Sequence, residues 1–143
     1  MVFRLACVML IALAACAQLP PSPQEIEAKR FAPAPGEAVI YLVRDVPDLT
    51  DIGAAVMLDD RLMGSTYPGT FFRWVVPPGR HEIRGYAGDG GYYALDVAPD
   101  HVYFVQQSVT RLFPVPSSQS RFSLVPEPHG RAAVLRSVLA GGQ

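Results

Sequence analysis

The sequence predicts an all-β fold, a small antiparallel β-sandwich of about seven to eight short strands followed by a short C-terminal helix. From Glu37 onward, short runs rich in β-branched and aromatic residues alternate with turns made of Gly, Pro and Asp. Several of these runs are apolar on both faces, which is typical of strands that are covered on both sides. The chain has 143 residues, of which 50% are hydrophobic and 17% are charged, so its length permits one domain.

Eight runs are predicted as strands, at residues 38–44, 54–58, 61–65, 70–76, 81–86, 92–97, 102–110 and 121–125. Residues 39–43 have almost no polar side chain, so we expect this strand at the centre of a sheet. Asp59 and Asp60 join two runs, and short polar residues tolerate the positive φ of a two-residue turn. Proline-led turns are predicted at 77–80 and 98–101, and the glycine-rich segment 88–91 predicts a mobile hairpin tip.

Aromatic side chains are concentrated in the middle of the chain, and most are expected in the core. Alternation along residues 70–76 predicts two faces, Phe72 with Trp74 and Val76, and Phe71 with Arg73 and Val75. Tyr67 and Tyr92 adjoin a Tyr-Pro-Gly turn and the glycine-rich segment. They are therefore the candidates for an exposed binding surface, because an exposed ring offers a large flat contact at little entropy cost.

The C-terminal residues have a different pattern from the strands. Ala132, Leu135, Val138 and Leu139 recur at helical spacing, which predicts a short amphipathic helix over residues 131–139, ended by the glycines at 141 and 142. A disordered tail is the alternative.

The N-terminus has the features of a secretory signal, with Arg4 before a short apolar run at residues 5–12. This run is too short to cross a bilayer as a helix, which needs about 20 residues. The sequence Leu-Ala-Ala-Cys at 13–16 resembles the lipobox of bacterial lipoproteins. That resemblance implies cleavage between Ala15 and Cys16 and fatty acylation of Cys16. With Ala17 rather than aspartate next, it also implies attachment to the periplasmic face of the outer membrane. An ordinary signal that leaves a free thiol is the alternative.

The predicted organisation is a signal peptide at 1–15, a lipidated Pro-rich tether at 16–36, a β-sandwich domain at 37–128 and a helix or tail at 129–143. Five prolines between Ala17 and Gly36 favour an extended chain, and a helix over residues 24–31 would be marginal alone. We interpret the tether as a spacer, and a proline-rich peptide ligand is the alternative.

Charge and cysteine content exclude several classes of function. Removal of residues 1–15 takes away Arg4 and leaves eleven basic against thirteen acidic side chains, so a nucleic-acid partner is not expected. Cys7 leaves with the signal, and Cys16 is blocked if it is acylated. Neither a disulfide nor a reactive-cysteine mechanism is therefore expected, and no cofactor is predicted.

Four segments together carry a family resemblance: AVIYLVR at 38–44, VMLDDRLMG at 56–64, VPPGRHEI at 76–83 and VYFV at 102–105. Their order resembles a family of bacterial lipoprotein domains of unknown function, which is similar in turn to PEGA-type β-sandwich surface domains. Asp60 stands where that family has a turn glycine, and Phe104 stands where it often has a second tyrosine. The resemblance covers about half of the chain. It implies a fold and an envelope address, and it supplies no catalytic residue.

Catalytic and metal-binding patterns are weak in this sequence. It has no Gly-x-Ser-x-Gly, His-Glu-x-x-His or phosphate-binding glycine loop, and His81, His101 and His129 lack metal-ligand spacing. The aspartates at 45, 48 and 51 lack the glycine and terminal glutamate of a helical calcium loop, so we interpret them as turn residues. A second acidic cluster of Asp59, Asp60 and Asp89 depends on the fold.

We expect a lipid-anchored, non-enzymatic envelope protein that acts as a binding, adapter or spacing module. Its expected partners are the membrane, through Cys16, and an envelope protein. One alternative is a structural subunit of a secretion or transport complex with an open sheet edge. Another is a metal- or glycan-binding, enzyme-like domain assembled from distant residues such as His81, His101 and the aspartates.

Overall fold

The computed structural model describes residues 19–115 and 117–141. It contains two helices, α1 (Pro23–Ala28) and α2 (Glu127–Leu135). The strands are β1 (Ala38–Arg44), β2 (Ala54–Leu58), β3 (Arg61–Thr66), β4 (Thr70–Val76), β5 (Gly79–Gly85), β6 (Tyr92–Val97), β7 (His101–Leu112), β8 (Ser117–Leu124) and β9 (Val138–Leu139). No helix in these residues is long and apolar enough to cross a membrane.

The strands form two sheets, which confirms the predicted small β-sandwich. One sheet has five strands in the order β8-β7-β1-β4-β9, and the other has four in the order β3-β2-β5-β6. Two pairings differ from the antiparallel pattern expected, because β1 runs parallel to β7 and β4 runs parallel to β9. Long connections separate these strands in the chain, and they make parallel pairing possible because a parallel pair cannot be joined by a tight hairpin.

Strand β1 lies at the centre of the five-stranded sheet, as its apolar sequence predicts, and all seven of its residues are buried. Ile40 and Leu42 face the four-stranded sheet, and Phe72 and Trp74 of β4 belong to the same core. Tyr41 and Val43 face the other way and form a second core. The predicted alternation of β4 is confirmed, because Phe71 belongs to this second core.

The second core is covered by the two helices, so part of the predicted tether packs on the domain. Ala28 and Phe31 are buried beside Tyr41, whose hydroxyl donates to the Ala28 carbonyl. Helix α1 is short, but Ser22 caps its N-terminus by accepting from the Glu25 amide at 3.1 Å. Tertiary packing thus supplies the stability that this helix lacks alone.

The C-terminal helix lies earlier in the chain than predicted. The sequence predicted residues 131–139, whereas α2 spans Glu127–Leu135 and Val138–Leu139 form β9 beside Thr70 and Phe71. The backbone donors after the helix have partners elsewhere: the amide of Ala140 donates to the Phe71 carbonyl at 2.8 Å. Sheet pairing therefore replaces the final helical turn.

The β2–β3 turn has the geometry that the sequence predicts. Asp59 and Asp60 have φ values of 48° and 63°. Asp60, at the second position of the turn, therefore adopts the left-handed backbone conformation that a glycine adopts most easily. The segment around 88–91 is held by Asp89, whose carboxylate accepts from the amide and hydroxyl of Ser120, both at 2.6 Å, and from the Gly91 amide at 2.9 Å.

Candidate functional site: a groove along the open edge of β4

Strands β3 and β4 diverge from a tight turn at residues 67–69 and enter different sheets. The gap between them is a groove whose floor is the edge of β4. One section, of about 650 Å³, lies between Met63 of β3 and residues of α1, with Trp74 in its lining. A second section, of about 380 Å³, continues past Val75 to Pro77 and shares Met63, Arg73 and Trp74 with the first.

The edge of β4 presents unpaired backbone groups to this groove. Strand β9 covers only Thr70 and Phe71, and the Phe71 carbonyl accepts from Ala140 on that side. Because successive residues of a strand direct their N–H and C=O groups to opposite sides, those of Arg73 and Val75 also lie on the β9 side. Beyond β9 no backbone group of the described chain pairs with them. The groove therefore has the donors and acceptors that a further strand needs.

Trp74 lines the groove and carries a buried donor without a partner in the described chain. Its side chain is only 6% exposed and stacks on Phe72, with ring centroids 5.6 Å apart. Its indole Nε1–H is buried and has no hydrogen-bond partner among residues 19–115 and 117–141. A buried donor without a partner costs about 1–3 kcal/mol, and Nε1 has almost no accessible surface, so this cost is carried inside the core beneath the groove.

The charged side chains beside the groove leave a positive excess. The Arg73 guanidinium donates to the Tyr41 hydroxyl at 3.2 Å and to the Ala32 carbonyl at 3.3 Å. Neither Arg73 nor Arg61 has a carboxylate partner in the described part of the chain. The acidic groups nearby are already paired, Glu27 with Arg30 and Asp59 with His81. The groove thus favours a ligand that carries negative charge.

The far end of the groove is closed by a histidine–aspartate pair. The two nitrogens of the buried His81 ring lie 2.6 Å from Asp59 Oδ2 and 2.7 Å from the Pro77 carbonyl oxygen. Burial lowers the pKa of His81, but the hydrogen bonds to Asp59 and Pro77 raise it more, so the pKa lies above its usual value. Both partners are acceptors, so the protonated ring can donate from both nitrogens and hold the β2–β3 turn against β5.

The two tyrosines predicted as a binding surface do not lie together. Both are about half exposed, but Tyr67 follows β3 and Tyr92 begins β6, the opposite edges of the four-stranded sheet. Tyr92 donates to Glu82 at 2.9 Å and its ring lies under Arg84, at 5.5 Å. The Tyr67 ring packs on Gly53, where an added Cβ would lie 2.8 Å from it. Their role in binding stays a prediction.

The other residues considered as ligands are separated or already paired. Asp48 forms a buried ion pair with Arg44, and Asp45 pairs with Arg136. His101 is exposed and lies 2.7 Å from the Pro99 carbonyl, while His129 is exposed on α2. Within the described ranges, no three His, Cys, Asp or Glu side chains come close enough to hold a metal ion.

Two sets of predicted residues have different outcomes. Ala15 and Cys16, at the predicted cleavage and lipidation site, lie outside the described residues, so these predictions stay predictions. The groove was not predicted from the sequence, although the alternation along β4 correctly placed Trp74 and Arg73 on opposite faces of the strand. The missing information was that β9 pairs with only two residues of β4 and leaves the rest of its edge open.

No protein-family model matches this chain, and a search of curated proteins finds no match.

Proposed function

We propose that this protein is a lipid-anchored, non-catalytic adapter of the bacterial envelope that binds an extended acidic segment of a partner protein along the edge of β4. The observation that carries the proposal is the groove itself, whose floor is a stretch of strand edge where the backbone groups of Arg73 and Val75 have no partner in the described part of the chain. Strand addition uses main-chain hydrogen bonds for affinity and side-chain pockets for specificity.

The dimensions of the groove fit a short extended peptide. Its floor follows β4 from Phe72 to Pro77, which at about 3.3 Å per residue is roughly 20 Å long. A strand placed there would continue the line of β9, with α1 on one side and β3 on the other. Arg61 and Arg73 would then pair with carboxylates of the partner, which favours an acidic segment over a basic one.

The envelope address rests on the N-terminal sequence. An acylated Cys16 would hold the domain to the periplasmic face of the outer membrane, because several acyl chains give stable attachment where one gives marginal binding. The direct test is replacement of Cys16 by serine. We expect Cys16→Ser to lose fatty-acid labelling and to leave an uncleaved or soluble product. Unchanged labelling and membrane retention would contradict the lipoprotein assignment.

The groove is tested with the only tryptophan of the chain as the reporter. The purified lipidated protein in detergent micelles is titrated with a synthetic heptapeptide that alternates glutamate and valine. We expect a saturable change in Trp74 emission, because Trp74 lines both sections of the groove and a bound peptide would exclude water beside its ring. A heptapeptide that alternates lysine and valine is the charge control, and it should bind at least about tenfold more weakly.

A pair of substitutions at one position separates strand addition from general adhesion. Val75→Pro removes the N–H on the open side of β4 without removing a hydrogen bond to β1. It should weaken peptide binding by at least about fivefold, the equivalent of one backbone hydrogen bond. Val75→Thr keeps the N–H and the shape, and it should bind as the parent does. Equal binding by both variants would show that the peptide does not add to this edge.

A further inference from the structure

The exposed apolar side chains of the described chain are concentrated at one end of the sandwich. We call this the apolar end, and its members are Leu19, Val46, Leu49, Leu112, Phe113, Val115, Leu135 and Val138. Phe113 is 94% exposed and Leu49 is 74% exposed. Such a cluster is unusual on a soluble surface and marks a site of contact with a protein or a membrane.

The topology brings these residues together from distant parts of the sequence. Strands β1 and β7 are parallel, so the β1–β2 loop and the β7–β8 turn leave the sheet at the same end. Ile52 of that loop and Phe113 of that turn line one cleft. Val138 pairs with Thr70 at the start of β4, and Arg136 pairs with Asp45 in the β1–β2 loop, so the α2–β9 segment lies at this end as well.

The position of Leu19 brings the N-terminal segment to the apolar end as well. Leu19 lines a cleft with Leu135, Arg136 and Val138. Residues 16–19 span at most about 11 Å even when fully extended, at 3.3–3.6 Å per residue. An anchor at Cys16 would therefore hold this end of the domain close to the lipid. Residues 23–31 of the predicted tether pack on the sandwich, so they add no length between the anchor and the domain.

The charges at this end do not oppose contact with lipid. The Arg44–Asp48 pair is buried, and Asp45 is neutralised by Arg136. Asp51 and Arg111 are exposed, without an ion-pair partner in the described ranges, and of opposite sign. The attraction is thus expected to come from apolar area, with little dependence on anionic lipid.

We propose that the apolar end of the sandwich inserts into the lipid surface to which the chain is anchored, with Phe113 and Leu49 reaching below the headgroups. The domain then lies directly on the membrane, and the β4 groove opens at the side of the docked domain. This inference rests on the proposed lipid anchor for its geometry, but the insertion itself is measured separately.

The test places an environment-sensitive nitrobenzoxadiazole label at single cysteines. Leu49→Cys and Phe113→Cys report on the apolar end, and Leu62→Cys is the matched control. Leu62 is also an exposed leucine, 56% exposed, but it lies near the start of β3 at the opposite end. The lipidated protein is reconstituted into phosphatidylethanolamine vesicles with and without phosphatidylglycerol, and lipids with a spin label in the acyl chain serve as quenchers.

We expect blue-shifted emission and quenching at positions 49 and 113 in both vesicle types, and neither effect at position 62. Aqueous emission at all three positions, or the same shift at position 62, would overturn the inference. The intact mass of the purified protein decides acylation independently. If the mass shows no acyl chain, the lipoprotein proposal fails, and the same labels on variants that also carry Cys7→Ser and Cys16→Ser, with added vesicles, still decide whether the apolar end binds lipid.

Discussion

Disruption of the buried ion pair between Arg44 and Asp48 should cause a large loss of unfolding free energy. Arg44 is fully buried, and its Nε donates to Asp48 Oδ2 at 2.6 Å. Its other nitrogens donate to the carbonyls of Thr50 and Ile52. The β1–β2 loop is thus folded around one guanidinium group, and the substitution Asp48→Ala would leave that charge without a carboxylate.

The expected loss follows from the partners that remain. An uncompensated buried charge costs about 3–5 kcal/mol of unfolding free energy. Asp48 also accepts from the Ser108 hydroxyl at 2.7 Å and from the Val109 amide at 3.1 Å, and a buried amide left unpaired costs about 1–3 kcal/mol. These effects share one site and are not additive, so we expect a total loss of about 3–5 kcal/mol, a large fraction of the stability of an ordinary domain.

Equilibrium unfolding in urea at pH 7 measures this loss, with Asp51→Ala as the matched control. Asp51 is an exposed aspartate in the same loop, and its removal should change the unfolding free energy by less than about 0.5 kcal/mol. Burial raises the pKa of Asp48, but the hydrogen bonds from Ser108 and Arg44 lower it by more, so the pKa lies below its usual value of 3.8. The contribution is therefore complete above that pH and is lost as the pH falls through the lower, folded-state pKa.

Equal stability of the two alanine variants would show that Asp48 does not compensate a buried charge. So would a double variant, Arg44→Met with Asp48→Ala, that lost the full sum of the two single losses. Residues that form one network should instead show a coupling of about 0.5–3 kcal/mol, because the second substitution removes the charge that the first one leaves unpaired.

Three further predictions concern other contacts. The hydrogen bonds that raise the pKa of His81 stabilise the fold fully below pH 6.5, and their contribution is lost as the pH rises through the folded-state pKa. The variant His81→Gln should therefore show a flatter dependence of unfolding free energy on pH in this range. The same slope in parent and variant would contradict this prediction. Gly130→Ala should destabilise by about 1–3 kcal/mol in thermal unfolding despite the higher helix propensity of alanine, because its Cβ would lie 2.2 Å from the Phe104 ring; a gain in stability would disprove the close contact. Asp89→Ala should cost about 1–3 kcal/mol and speed amide exchange at Gly91 and Ser120, whereas unchanged exchange there would show that the carboxylate does not hold this loop.

The adapter and the membrane-docking proposals use different surfaces of the same domain. The groove lies along the edge of β4, and the apolar end is formed by the loops beyond β1 and β7. Peptide binding should therefore survive substitution of Phe113, and vesicle contact should survive Val75→Pro. This separation allows each proposal to fail without the other.

Much of the fold could be predicted from local sequence because most strands carry their own signal. The strands at 38–44, 54–58, 70–76 and 92–97 have the predicted bounds, since apolar alternation and turn residues define both of their ends. Residues 138–139 could not be predicted as a strand, because they are two residues long and satisfy a helical pattern equally well. Only the nearby edge of β4 makes the extended conformation favourable.

The candidate site shows the same division. The sequence determined which side chains of β4 face the core, where the chain turns and where a lipid anchor is expected, because these depend on neighbours a few residues apart. Long-range contacts decide that part of the β4 edge is left open within the described chain, that Trp74 Nε1 has no partner there and that Leu49 and Phe113 share one end. Those properties depend on which strands pair and in which direction, and pairing is fixed by contacts between residues far apart in the chain.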